Sequence, residues 1–119
     1  MTTRATSKVW LAKHFPQETN APLRTSKYYP EHELWFFTLP STLLTGSGQG
    51  HLLFLLQKSE DPKSYHLLRV PLAFLRENRV KFDLRQAGDK FDLHISSKPS
   101  KWLVDLRSKG VDFGDFLVS

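Results

Sequence analysis

The sequence predicts one compact α+β domain dominated by an antiparallel sheet of five to six strands, strongly curled or closed into a small barrel, with one or two short helices. Three observations lead there. First, residues 34–39 and 52–56 are apolar on both alternating faces, as in strands covered on both sides. Second, residues 80–95 alternate between apolar and polar positions around Gln86-Ala87-Gly88-Asp89, as in a hairpin with one wet face. Third, a chain of 119 residues is the size of one domain and buries roughly two-thirds of its unfolded surface. A curled sheet or barrel is the simplest way to cover strands that are apolar on both faces.

Taken in order, Ser7 predicts the cap of a short helix running through Phe15, although Val9, Trp10, Lys13 and His14 make no clean apolar stripe. Pro16, Pro22 and Pro30 then interrupt the chain. Residues 1–30 therefore read as a basic arm or linker, docked through Tyr28-Tyr29, and residues 31–119 as the core domain. Leu43 and Leu44, after Pro40-Ser41, suit a single helical turn. The loop Thr45-Gly46-Ser47-Gly48-Gln49-Gly50 has glycines that let backbone N–H groups approach a phosphate. It is followed by His51 and a strand, so it lacks the lysine, hydroxyl residue and helix of a P-loop and reads as a connection between strands.

Ser59-Glu60-Asp61-Pro62-Lys63-Ser64 is turn chemistry, and Tyr65 to Val70 predicts a strand antiparallel to the second core run. Pro71 suits the opening of a short helix to Asn78, with Leu72, Phe74 and Leu75 inward and Arg76 and Arg79 sharing a face. In the hairpin that follows, Val80, Phe82 and Leu84 oppose Lys81, Asp83 and Arg85, while Phe91, Leu93 and Ile95 oppose Asp92, His94 and Ser96. The segment Lys101 to Arg107 fits a strand through Trp102, Val104 and Leu106, and also a helix between Ser100 and Gly110; the short connection favours the strand. Phe113, Phe116 and Leu117 close the core.

Composition removes several kinds of chemistry. The chain has no cysteine, which excludes disulfides, thiolate metal sites and cysteine nucleophiles. Such a chain fits a reducing compartment, and with no apolar leader in view the expectation is a cytoplasmic protein without a membrane anchor. Five histidines show no HxxxH or HExxH spacing, and no GxSxG motif offers a nucleophilic serine. No cofactor and no resident metal are expected.

The charge is +5 and unevenly spread. Arg4, Lys8, Lys13, Arg24 and Lys27 face Glu18 alone in residues 1–28, and residues 58–90 carry a second basic excess. Lys and Arg in two zones around an almost uncharged stretch suit a polyanion. The expected function is therefore a nucleic-acid-binding module, DNA rather than RNA, serving as an accessory recognition domain of a larger enzyme. The expected contacts are Arg24, Lys27, Arg69, Arg76, Arg79, Lys81, Arg85, Lys90 and His94. A protein-interaction module with a solvated arm is the alternative. A second alternative is a metal-dependent nuclease in which Asp83, Asp92 and His94 share the wet hairpin face and hold Mg²⁺. That order resembles the carboxylate cluster of restriction-type nucleases, except that their acid–x–lysine pair is here Asp92–x–His94. Trp35, Phe36 and Phe37 sit in apolar context and are assigned to the core.

Overall fold

The computed structural model describes residues 3–18, 22–45, 50–108 and 110–118, with side chains from Ser7 onward. Gly46 to Gln49 of the glycine loop, and the side chain of Arg4, lie outside the described residues. Among the described residues, two α-helices, α1 (Thr3–His14) and α2 (Leu72–Glu77), accompany six strands: β1 (Leu23–Ser26), β2 (Tyr28–Tyr29), β3 (Leu34–Pro40), β4 (His51–Gln57), β5 (Tyr65–Pro71) and β6 (Lys90–Ser96). The strands form two three-stranded sheets, β1-β4-β5 and β2-β3-β6. Neither is closed, so the expected barrel is replaced by two layers. The antiparallel character holds for every pair except β1 and β4, which run parallel.

Strand β4 shows why two layers suffice. Leu52, Phe54 and Leu56 join Trp35, Phe37 and Leu39 of β3 and Phe91, Leu93 and Ile95 of β6 in the main core. Leu53 and Leu55 point the other way, with Tyr65 and Leu67 of β5, onto Leu11 of α1, flanked by Trp10 and Phe15. A strand apolar on both faces is thus covered by a sheet on one side and a helix on the other. α2 and the C-terminal segment close one end of the core, where Phe74 meets Phe113 and Phe116 at centroid separations of 5.5 and 4.6 Å.

The segment expected as an arm supplies a helix and two strands. α1 begins before Ser7, which is therefore no cap; it is buried, and its Oγ lies 2.8 Å from Thr25 Oγ1 of β1. β1 and β2 are one stretch of chain that leaves the first sheet at Lys27 and enters the second. Side chains pin this crossing: Ser26 Oγ accepts from Phe36 N (2.9 Å), and Gln57 Oε1 accepts from Tyr28 N (3.1 Å). The Trp35 indole donates to Gln57 O at 2.8 Å.

Local expectations at several places agree with the structure. Ser41–Leu44 is a single 3-10 turn. The Ser59–Ser64 segment turns with Asp61 accepting from Lys63 N and Ser64 Oγ. β4 and β5 pair antiparallel, and α2 turns Leu75 fully inward.

The hairpin over residues 80–95 needs correction. Arg79–Lys81 is a 3-10 turn, Val80 is 83% exposed, and a single bridge, Leu84 to Phe91, joins the expected arms. The reason lies with β6. One of its edges pairs along its whole length with β3. The other is shared: Arg85 N donates to Lys90 O at its start, whereas Leu106 N donates to His94 O and Ser96 N to Val104 O farther along. The segment 103–106 thus occupies the edge that a longer hairpin would need. It does so through isolated bridges rather than the favoured strand, with Leu103 and Asp105 inward and Trp102 and Leu106 partly exposed.

If α1 covers the β1-β4-β5 sheet, deleting residues 1–15 bares Leu53, Leu55, Tyr65 and Leu67 to water. The truncated chain is expected to lose its cooperative thermal transition and to bind a hydrophobic dye. An unchanged melting curve would show that these residues are a detached arm.

Candidate functional site

Among the described residues, the outer face of the β2-β3-β6 sheet carries a candidate site. Pleating sends Trp35, Phe37 and Leu39 inward, and so sends Leu34, Phe36 and Thr38 outward. Register then places His94 opposite Phe36, Asp92 opposite Thr38, and Tyr29 opposite Leu34. Phe36, assigned to the core from sequence, is only half-buried. With Tyr29, His32, Leu34 and His94 it lines a recess of about 360 Å³. The Phe36 and His94 ring centroids are 5.2 Å apart at 56°. The Lys27 ammonium stands 5.1 Å from the Tyr29 centroid, over the ring face that attracts a cation.

The tight turn before β3 shapes one wall. His32 N donates to Tyr29 O, and Glu33 adopts φ 54°, a left-handed conformation that side chains other than glycine seldom take. The turn reverses the chain between Tyr29 and Leu34, so His32 ends beside both. Glu33 also reaches toward Lys98, at 3.9 Å.

Beyond the recess lies a polar cluster. Arg85 grips Asp92 with two nitrogens, Nη2 to Oδ1 at 2.9 Å and Nε to Oδ2 at 3.2 Å, and Thr38 Oγ1 donates to the same carboxylate at 2.8 Å. The two partners are unequally placed: the Arg85 side chain is 47% exposed and that of Asp92 only 11%. The carboxylate sits inside and the guanidinium outside, which gives a preset cation on the surface. Burial pushes the Asp92 carboxyl up, but the hydrogen bonds from Arg85 and Thr38 and the charges of Arg85 and Arg107 outweigh it and hold it below its ordinary value.

His94 is depressed, first by burial and then by the charge of Arg107, with His32 adding to this and Asp105 and Asp92 opposing it. Its ring is therefore neutral near pH 7. Asp105 holds this strand from behind: its buried carboxylate accepts the N–H groups of His94 (2.7 Å), Arg107 (3.1 Å) and Ser108 (3.2 Å).

The structure divides the sequence-derived site residues. Lys27, Arg85, Lys90 and His94 belong to the outer face or its rim. Arg69 pairs with Glu18, on the helix-covered side of the other sheet. Arg24 lies half-buried on β1, and Arg76, Arg79 and Lys81 follow from α2 into the next turn. Asp83 does not join Asp92 and His94 on one strand face but pairs with Arg107. Among the described residues no group of three or more His, Asp and Glu side chains is placed to hold a metal ion.

Read from sequence, Phe36 belongs to the core, Tyr29 is mainly part of a docking pair that can also stack on bases, and His32 is not singled out as a contact. The available signal was polarity on β3 itself: Thr38 shares its face with Phe36. No described helix is long and apolar enough to cross a membrane. Comparison with protein-family models, curated proteins and solved structures finds no match for this chain.

The cluster has a measurable signature in stability. Asp92→Ala is expected to cost on the order of 1–2 kcal/mol at pH 7, the low end for a charged hydrogen bond because Arg85 stays half in water. A carboxyl held below its unfolded value stabilises above that value, and the contribution fades as pH falls through the depressed one. Urea titrations should show the gap between parent and variant closing in acid; a gap independent of pH would mean that Asp92 acts through packing alone. His94 has the same sign, set in a higher window: its folded value is also depressed, the unfolded chain takes up the proton first, and stability declines as pH drops below the ordinary histidine value of 6.5. His94→Gln should flatten that decline, as followed by the melting temperature across pH 5 to 8.

Proposed function

We propose that this chain is a nucleic-acid-binding module whose contact surface is the outer face of the β2-β3-β6 sheet. The observation that carries the reading is the combination of half-exposed rings with outward cations on one sheet face. Tyr29, Phe36 and His94 supply the rings. Lys27, Arg85 and Lys90 supply the cations. Ring faces and cations together match the two parts of a nucleotide, a base with a π surface and a phosphate with a negative charge.

The arrangement also sets a direction. Glu31 and Glu33 stand before β3, whereas Lys90 lies opposite Pro40 at its far end, next to the Arg85 turn. Glu31 and Glu33 weaken the positive field at the first end, where Lys27 is the phosphate-binding cation beside Tyr29, and leave the stronger field at the Arg85–Lys90 end. Arg69 has no part in this surface, since its partner Glu18 lies with the α1 side.

Binding to labelled oligonucleotides across a salt series tests the reading. Removing one phosphate-binding cation lowers the magnitude of the salt slope by about 0.7 on a single strand and about 0.9 on B-DNA. Lys27→Ala and Lys90→Ala are each expected to produce a decrease of that size, while Arg69→Ala leaves the slope as it was. Lys27 and Lys90 are exposed and Arg69 is paired at the surface, so circular dichroism should be unchanged in all three variants. A slope that responds to Arg69 and ignores Lys27 and Lys90 would place the interface on the opposite side of the molecule.

A further inference from the structure

We infer that the recess between Tyr29, His32, Leu34, Phe36 and His94 receives one unpaired base of a single strand, so that the module prefers single-stranded to duplex nucleic acid. The inference rests on the nucleic-acid reading above and specifies its ligand. The floor of the recess is apolar, Leu34 and Phe36 on β3, and its walls are three π systems, Tyr29, His32 and His94. Such a lining favours a flat heteroaromatic ring. In a duplex both faces of each base are covered by its neighbours, so only an unpaired base can offer one to Phe36.

The charges around the recess agree with a nucleotide in place of an apolar peptide side chain. Lys27 stands over the Tyr29 ring on one rim. Arg85, tethered to buried Asp92 through Nε and Nη2, stands on the face next to His94. A base seated on Phe36 would thus have a phosphate-binding cation toward β2 and another toward the end of β3. His94 is kept neutral by burial and by Arg107; an uncharged imidazole stacks without the desolvation cost of a cation. The imidazoles of His32 and His94 offer hydrogen-bonding nitrogens to the edge of the base, as a ring lined only by phenyl groups would not.

The shared chemistry is a heteroaromatic ring joined to a phosphate, and the strand is preferred over a free nucleotide because the cations flank the recess on two sides. The test compares a thymidine homopolymer, the same strand with abasic sites throughout, a duplex of equal length, and thymidine monophosphate. Each is titrated against the parent chain and against Phe36→Leu, which keeps apolar volume on β3 while removing the ring. The intact strand is expected to bind between about fivefold and about 150-fold more tightly than the abasic strand, the range of one base stacked on an aromatic side chain. Phe36→Leu should erase most of that ratio without altering affinity for the abasic strand, whose phosphates still meet Lys27 and Arg85.

Equal affinity for intact and abasic strands, with the salt slope retained, would overturn the base recess and leave the nucleic-acid reading standing. So would a duplex that binds as tightly as the strand and ignores Phe36→Leu. Monophosphate binding as tight as that of the strand would overturn the choice of a polymer. No binding of any oligonucleotide at low salt would remove both readings together.

Discussion

Five consecutive buried residues, Leu52 to Leu56, set the terms for this fold. A strand with apolar side chains on both faces has no stable place at a surface, and its burial requires two separate covers. The β2-β3-β6 sheet provides one and α1 the other. Both covers come from flanking sequence: α1 lies before the first strand, and β6 arrives after α2. Trimming the chain at its N-terminal side would remove α1 and β1, although proline and charge give that side the look of a linker.

Meeting that demand fixes the site. Once β3 and β6 commit their inward faces to β4, their outward faces are left for solvent, and pleating decides which residues stand there. The strand that crosses between sheets at Lys27 adds Tyr29 to the same face, and its position is locked by the bonds from Phe36 N to Ser26 and from Tyr28 N to Gln57. The aromatic recess is thus tied to the same corner that holds the two sheets together. Phe36 and His94, carried on strands with the His94 N–H held by buried Asp105, and Tyr29, next to the Tyr28 N–H held by Gln57, are held more rigidly than rings on a loop.

What the sequence disclosed was the local part. The burial of β4, the turn around Asp61, the pairing of β4 with β5 and the inward side of α2 all follow from nearest neighbours and periodicity. What it concealed was competition for edges. Residues 80–85 alternate as a strand should, yet Val80 stands in water because 103–106 takes the β6 edge, and no local pattern ranks those two suitors. The parallel union of β1 with β4 was hidden likewise, as Pro22 and Pro30 suggested an interrupted arm. Phe36 was concealed by its company: flanked by Trp35 and Phe37, it shares their composition but not their face. Among the basic residues, charge is legible in one dimension and location is not; Arg69 and Lys90 look alike in a charge count and stand on different sheets.

The two rings at the heart of the recess, Phe36 and His94, are cross-strand neighbours although nearly half the chain separates them. On a ribosome, Phe36 emerges long before its counterpart exists, and β3 then displays an aromatic row with nothing beside it. The recess comes into being only when β6 docks, after β4, β5 and α2 have been made. A nascent or partly unfolded chain therefore lacks the recess, and a ligand of the kind proposed would find its seat only after synthesis and folding have reached β6.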